Sequence, residues 1–227
     1  MSSFFKYVPG NIGDKITLER IFNEMDAYDY KITSTILDAG YYSEENLKFL
    51  YNRNVAFLTR YIPNQKIYKR ILNISLNDID DMKYHVMKDE RILKIKRVNI
   101  NEIAGMKIYA YICKDLTEAN KLKFNTLSEF ECENKDYKEI DEITKQLRKR
   151  GIFALLSSLK MPTNEILSVY YERTRLEQIF DFAINELDAL PLRKHSEIAI
   201  RGHLMIVFMS TIAHVYMEKL MDKKKFN

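Results

Sequence analysis

The amino-acid sequence predicts an α/β fold, in which a mixed sheet is covered by flanking helices. Short runs rich in β-branched residues alternate with amphipathic segments over residues 1–64, and residues 163–227 have the periodicity of long helices. The chain has 227 residues, 46% of them hydrophobic and 30% charged, so it is long enough for a substantial core and is not a disordered sequence.

The first third predicts strands and helices in alternation. The order is strand 4–8, helix 18–27, strand 31–37, a helix that follows Ser43, and strand 55–61. Thr17 and Ser43 are the expected N-caps of the two helices, because their hydroxyls can accept the first backbone N–H groups. Strand, helix and strand in this order favour a sheet with parallel pairs of strands and covering helices.

Residues 65–162 are charged and irregular, and we interpret them as an insertion. Two strand-like runs, 92–100 and 106–113, flank a short connection and predict a hairpin. A charged segment, 136–150, predicts a helix that stops at Gly151. The chain therefore divides into the first part of the core (1–64), an insertion subdomain (65–162) and C-terminal helices that complete the core (163–227).

The C-terminal third predicts two long helices, over 164–187 and 196–221, with Pro191 between them. The most apolar segment, 204–216, includes polar residues and is shorter than the ~20 residues of a membrane span. We interpret it as a buried core helix and expect no membrane segment. Two cysteines, Cys113 and Cys132, are too few for a disulfide framework, which favours the reducing cytoplasm.

The charge composition permits a nucleic-acid partner without requiring one. Lys and Arg number 36 against 32 Asp and Glu, a net charge of +4. Lys94, Lys96 and Arg97 could contact DNA, although a solvated strand face is the simpler interpretation.

Asp38 directly follows the predicted strand 31–37. Ligands bind beyond the carboxyl ends of strands in open α/β sheets, and carboxylates are the ligands that hard divalent cations prefer. A carboxylate that only begins a turn is the alternative interpretation.

Arg173 and Glu177 fall within the apolar arc of helix 164–187 when residues are placed at 100° intervals. Buried charges are costly unless they are paired or bind a metal. Two interpretations stay open: an Arg–Glu pair that satisfies itself at i,i+4 spacing, or charges that belong to a site.

These residues resemble a known family, the bacterial insertion-sequence transposases of the DDE (Asp-Asp-Glu) class. The segment 36–46 around Asp38 resembles the family's second-aspartate segment, and Tyr170, Arg173 and Glu177 keep the spacing of its Tyr-Arg-Glu-Lys signature. Segments 9–14 and 192–203 also resemble the family, so the resemblance covers nearly the whole chain.

The resemblance implies a ribonuclease-H-like fold and a transposase catalytic domain that binds, cleaves and joins DNA. It implies that Asp38 and Glu177 are catalytic carboxylates that bind Mg²⁺ or Mn²⁺, and that Tyr170 and Arg173 contact DNA phosphate. The implied substrates are the transposon ends and the target DNA. A homodimer or a full-length transposase subunit is the implied protein partner.

Two departures from the family pattern affect this expectation. Ile184 occupies the position of the signature's Lys, and the family's first Asp lies on a first strand that would precede Phe4. Asp14 belongs to a loop-like segment and is not a replacement for that ligand. We therefore expect an N-terminally truncated transposase that lacks its first strand and has little strand-transfer activity.

Two other functions remain as alternatives. The first is a non-catalytic fragment that binds DNA or a transposase. The second is an α/β protein unrelated to transposition, in which the Arg173–Glu177 pair is structural.

Overall fold

A six-stranded mixed sheet forms the centre of one of two structural units. In the computed structural model, the sheet unit is Asp14–Tyr170, and the second unit comprises Tyr171–Asn227 with Met1–Gly13. The structure describes residues 8, 13–63, 66–88, 91–103, 105–121, 124, 147–190, 192 and 196–225.

The sheet contains parallel and antiparallel pairs. Its strands are β1 (Ser34–Leu37), β2 (Ala56–Arg60), β3 (His85–Lys88), β4 (Arg91–Ile103), β5 (Met106–Asp115) and β6 (Ile152–Ser157). They lie in the order β1-β2-β6-β5-β4-β3. The β1–β2 pair is parallel and the other described pairs are antiparallel, which confirms the predicted mixed α/β sheet. More than one parallel pair was expected, and the described strands form one.

Helices account for most of the remaining described residues. They include α1 (Asp14–Ala27), α2 (Glu44–Asn52), α3 (Lys66–Leu76), α4 (Thr163–Asn185) and α5 (Glu197–Lys225), with short 3₁₀ turns at Ala39–Tyr41 and Met82–Tyr84. The helix α4 begins in the sheet unit and continues into the second unit.

Local signals in the sequence located several elements. The Ser43 side chain accepts the Asn46 backbone N–H at 3.0 Å and begins α2 as expected. Thr17 is not an N-cap, since α1 begins at Asp14 and the Thr17 hydroxyl donates to the Asp14 carbonyl at 2.8 Å. The predicted strand 31–37 is formed only from Ser34 onward.

The predicted hairpin is confirmed as β4 and β5, joined at Gly105, whose φ is +74°. Gly151 likewise has a φ of +72°, as expected for a residue that stops a helix. The predicted strand 4–8, except Val8, and residues 136–146 of the predicted helix 136–150 lie outside the described residues.

The central strand β6 and the helix α3 were not predicted. Residues 152–157 are a short apolar run without alternation, and β6 is buried on both faces between β2 and β5. With β3, β4 and β5, it joins the sheet that contains β1 and β2. The division into 1–64, 65–162 and 163–227 stays a prediction.

The prediction that residues 204–216 form a buried core helix is wrong for much of the segment. Leu204, Val207 and Thr211 are buried, whereas Met205 and Met209 are more than half exposed. Apolar composition does not reveal whether a partner covers each face of a helix. Residues Glu197–Met221 are long and apolar enough to cross a membrane, but core helices of soluble proteins pass the same test.

Candidate functional site

Asp38 stands at the carboxyl end of β1, where the sequence placed it. One of its carboxylate oxygens accepts the Ala39 backbone N–H at 2.7 Å, so Asp38 caps the 3₁₀ turn that follows. The side chain is exposed at the edge of the sheet. It therefore begins a turn, and it also presents a carboxylate where ligands bind in α/β sheets.

A second carboxylate lies against the same turn. A Cβ atom added at Gly40 would stand 2.6 Å from Oδ2 of Asp14, so the glycine leaves room for that side chain. The sequence interpretation treated Asp14 as part of a loop, but it is the first residue of α1. Two features of the sequence could have indicated this contact: the carboxylate of Asp14 at the start of a helix, and Gly40 in the turn after the strand.

Arg60 is a cation at the same edge that sequence reasoning missed. Leu37 pairs with Thr59 in the parallel β1–β2 ladder, so Asp38 and Arg60 are the next residues on neighbouring strands. The Arg60 guanidinium lies 5.5 Å from the centre of the Phe153 ring on β6, a cation–π contact. The edge therefore carries both a carboxylate and a positioned cation.

Tyr170 is connected to this edge through the same ring. The rings of Phe153 and Tyr170 are stacked, with centroids 6.4 Å apart and planes 29° apart. Tyr170 is 6% exposed, and Ile166 and Leu167 in the preceding turn are fully buried. The first residue of the Tyr-Arg-Glu signature is therefore packed against the sheet, beside a strand that neighbours β2.

The segment before α4 is also anchored to the sheet. The Tyr111 hydroxyl, on β5, donates to the Met161 carbonyl at 2.8 Å and accepts the Met161 N–H at 2.6 Å. These bonds and the buried first turns fix where the signature helix α4 begins.

Arg173 and Glu177 follow Tyr170 on α4 and contact each other. Their side chains form an i,i+4 ion pair at 2.9 Å, with Arg173 23% and Glu177 51% exposed. The apolar arc expected to be core-facing is buried at Ile166 and Tyr170 but exposed at Phe180. Periodicity identifies the apolar face of a helix, but it does not identify what covers that face.

The four predicted site residues are distributed over both units. Asp38 and Tyr170 belong to the sheet unit, and Arg173 and Glu177 belong to the second unit. Ile184, at the position of the signature's Lys, is on α4 and is partly exposed.

The donor chemistry of Asp38 and Glu177 fits a hard divalent cation in type. Among the residues that the structure describes, however, no three His, Cys, Asp or Glu side chains form a group able to hold a metal ion. The described residues therefore contain ligands of the right kind without a complete ligand set.

Other polar groups serve the fold. Lys94 and Lys96 are not a solvated face, since they form ion pairs with Asp80 at 2.7 Å and with Asp78 at 2.5 Å. Cys113 is fully buried, and burial raises the pKa of its thiol, which disfavours the nucleophilic thiolate.

A mixed six-stranded sheet with flanking helices is compatible with the ribonuclease-H-like class of transposase domains. The chain belongs to the transposase DDE domain family, whose profile matches residues 4–213. Membership implies catalysis of transposition and DNA as the substrate. No curated protein matches the chain significantly.

Proposed function

We propose that this chain is the catalytic domain of a bacterial insertion-sequence DDE transposase that acts on transposon ends and target DNA in the cytoplasm. The observation that carries the proposal is the Arg60–Phe153–Tyr170 stack. It ties the first residue of the signature helix to the strand end beside Asp38.

In this proposal Asp38 and Glu177 hold Mg²⁺ or Mn²⁺. The bound metal would stabilise the attacking and leaving oxygens of a phosphoryl displacement. Arg173 binds DNA phosphate through its planar guanidinium, and Arg60 adds a second positive charge at the edge of the sheet.

Glu177 pairs with Arg173 in the structure, and we propose that a DNA phosphate replaces Glu177 as the partner of Arg173. An i,i+4 pair that is partly exposed contributes only a few tenths of a kcal/mol, so it is readily broken. When phosphate takes Arg173, the Glu177 carboxylate becomes available to a metal ion. The buried Tyr170 ring holds the start of α4 in place, and a DNA contact by its hydroxyl stays a prediction.

The first aspartate of the family would lie on a strand that pairs with the open edge of β1. Among the described strands β1 contacts only β2, which leaves a row of backbone groups without a strand on its other side. A cavity of about 380 Å³ opens beside it, lined by α1, β1 and Asp38. A strand paired at this edge would bring the first carboxylate of the family beside Asp38.

Thermal unfolding in millimolar Mn²⁺ tests the metal ligands. We expect Mn²⁺ to raise the Tm of the wild type and of the control Glu172→Gln, which removes an exposed carboxylate from the same helix. Asp38→Asn and Glu177→Gln should each abolish the rise, because neither retains both ligands. An equal Tm with and without Mn²⁺ in the wild type would remove the metal-site proposal for this chain.

A non-catalytic DNA- or transposase-binding fragment is the second candidate. The incomplete ligand set among the described residues favours it. It predicts binding to duplex DNA that weakens steeply with salt, and no nicking of that DNA in Mn²⁺. If the wild type nicks DNA and Asp38→Asn does not, the catalytic-domain proposal is supported and the non-catalytic one is excluded.

A further inference from the structure

Asn46 is a buried polar residue that contacts the turn after Asp38. It lies in the first turn of α2 and is 6% exposed. Its side-chain Nδ2 donates to the Tyr41 carbonyl at 2.9 Å and to the Lys15 carbonyl at 3.0 Å. Both hydrogens of the amide group are therefore used. Through these two bonds a single side chain of α2 is joined to α1 and to the 3₁₀ turn.

The first of these bonds closes the turn that orients the Asp38 carboxylate. The Tyr41 N–H donates to the Asp38 carbonyl at 3.1 Å, and the Tyr42 N–H donates in the same way to the Ala39 carbonyl. Within the turn, the Ala39 N–H donates to Asp38 Oδ1 at 2.7 Å, which fixes the direction of the carboxylate. Hydrogen bonds of the 3₁₀ type have poorer geometry than those of an α-helix. The bond from Asn46 therefore stabilises the turn at its last residue.

The second bond holds the start of α1 against the same turn. Lys15 is the second residue of α1, and the preceding Asp14 has its carboxylate beside Gly40 in the turn. Because the Asn46 amide bonds to both elements, the start of α1 and the turn keep one relative position. The placement of the Asp14 carboxylate beside this turn therefore also depends on Asn46.

The other end of the turn is held independently of Asn46. Tyr42 is buried, and its hydroxyl is hydrogen-bonded to the hydroxyl of Tyr61. The centroids of the two rings are 5.4 Å apart. Tyr61 follows Arg60, the last residue of β2. Loss of the Asn46 amide should therefore loosen the turn without releasing Tyr42 from the core.

A role limited to the structure of α2 is the alternative for Asn46. Its backbone N–H donates to the Ser43 Oγ at 3.0 Å, so residue 46 takes part in the cap of the helix. That bond requires no particular side chain at position 46, and a buried amide is costly unless its donors are paired. The bonds from the side chain to Tyr41 and Lys15 are therefore the feature that a role in positioning the turn explains.

We propose that Asn46 is a positioning residue for Asp38, and that its amide holds the 3₁₀ turn in the conformation that presents the Asp38 carboxylate to a divalent cation. This role rests on the proposed function, in which Asp38 binds a metal ion, but every contact that carries it lies within the sheet unit. Groups that hold a metal ligand in place are typically worth about 10- to 100-fold in metal affinity. Asn46→Ala should therefore weaken the binding of Mn²⁺ about 10-fold or more.

Amide hydrogen exchange, followed by NMR well below the Tm, tests the positioning without any metal. The Ala39 and Tyr41 N–H groups are both bonded within the turn. Asn46→Ala should accelerate their exchange about 10-fold, because the turn opens more often. Asn46→Leu also lacks the amide but fills the buried volume, so α2 stays packed in this second variant. Ser43→Ala is the matched control: it removes the cap of the same helix, keeps the amide, and should leave both exchange rates unchanged.

Mn²⁺ binding, measured from the electron paramagnetic resonance signal of the free ion, connects the turn to the site. The wild type and Ser43→Ala should have the same Kd, and both Asn46 variants should bind about 10-fold more weakly. Equal weakening in Ser43→Ala and Asn46→Ala would show a general effect of lost stability and would overturn the positioning role. A wild-type Kd in both Asn46 variants would overturn it as well.

The two measurements separate this role from the proposed function. If the wild type binds no Mn²⁺, the metal-site proposal fails, and the exchange rates alone decide whether Asn46 positions the Asp38 carboxylate. Exchange of the Ala39 and Tyr41 amides that is faster in the Asn46 variants than in Ser43→Ala would support the positioning role. Unchanged exchange in both Asn46 variants would overturn it, whatever the wild type binds.

Discussion

Asp80 is expected to stabilise the sheet unit because its negative charge pairs with two neighbouring lysines. Its carboxylate accepts Lys94 Nζ at 2.7 Å and Lys114 Nζ at 2.9 Å, and these lysines are directly paired across β4 and β5. Their side chains are only 10% and 9% exposed. Hydrogen bonds, first from Lys94 and then from Lys114, lower the pKa of Asp80 to about 2.

Asp80→Asn removes the negative charge and leaves two buried ammonium groups opposite each other. Breaking a fully buried pair costs about 3–5 kcal/mol. The Asp80 side chain is 60% exposed, and solvent screening reduces the energy of its ion pairs. We therefore expect Asp80→Asn to lower the free energy of unfolding by about 2 kcal/mol. Urea unfolding followed by circular dichroism measures it. Asp81→Asn is the control, because Asp81 pairs with the exposed Lys83 and should matter much less.

The pH dependence gives the same prediction a second test. Because the folded pKa of Asp80 is depressed, its contribution is present above the unfolded value of 3.8 and is lost as pH falls toward 2. The wild type should therefore lose more stability than Asp80→Asn between pH 4 and pH 2. Equal stabilities of Asp80→Asn and Asp81→Asn at neutral pH, or equal slopes in acid, would refute the reasoning.

Further predictions concern single positions that the structure constrains. Gly151→Ala should destabilise the chain more than Gly105→Ala in thermal unfolding, because both have positive φ but only at Gly151 would a Cβ meet backbone, 2.7 Å from a carbonyl oxygen. Ser43→Ala should cost about 1 kcal/mol of unfolding free energy in urea, by loss of the N-cap, and an unchanged midpoint would contradict this. Phe153→Leu should weaken binding to duplex DNA at a temperature well below its Tm, because it removes the ring that positions Arg60. Unchanged binding would show that the Arg60–Phe153 contact is not part of the DNA site.

Local chemistry made part of the fold predictable from sequence. The Ser43 cap, the positive φ of Gly151 and the β4–β5 hairpin each depend on residues close in the chain. The strand β6 was not predictable in this way, because its apolar run has no period and its partners β2 and β5 are distant in sequence.

The candidate site divides along the same line. Asp38 was placed at a strand end because that strand is visible in the sequence, whereas the position of Arg60 beside it depends on the β1–β2 register. Phe153 lies on β6, a strand that was not predicted, and Tyr170 lies on α4, a helix that was predicted. Their ring contact could therefore not be expected from the sequence. Exposure of α5 depends on what covers it, which no pattern within one helix encodes.

The central claim is that Asp38 and Glu177 hold the same divalent cation. Fe²⁺ in place of Mg²⁺, with ascorbate and peroxide, generates hydroxyl radicals that cleave the backbone beside a bound metal, and mass spectrometry locates the cuts. The account predicts cuts near residue 38 and near residue 177, suppressed by Mg²⁺ and absent in both Asp38→Asn and Glu177→Gln. Cuts at only one of these positions, or cuts that survive Glu177→Gln, would contradict it.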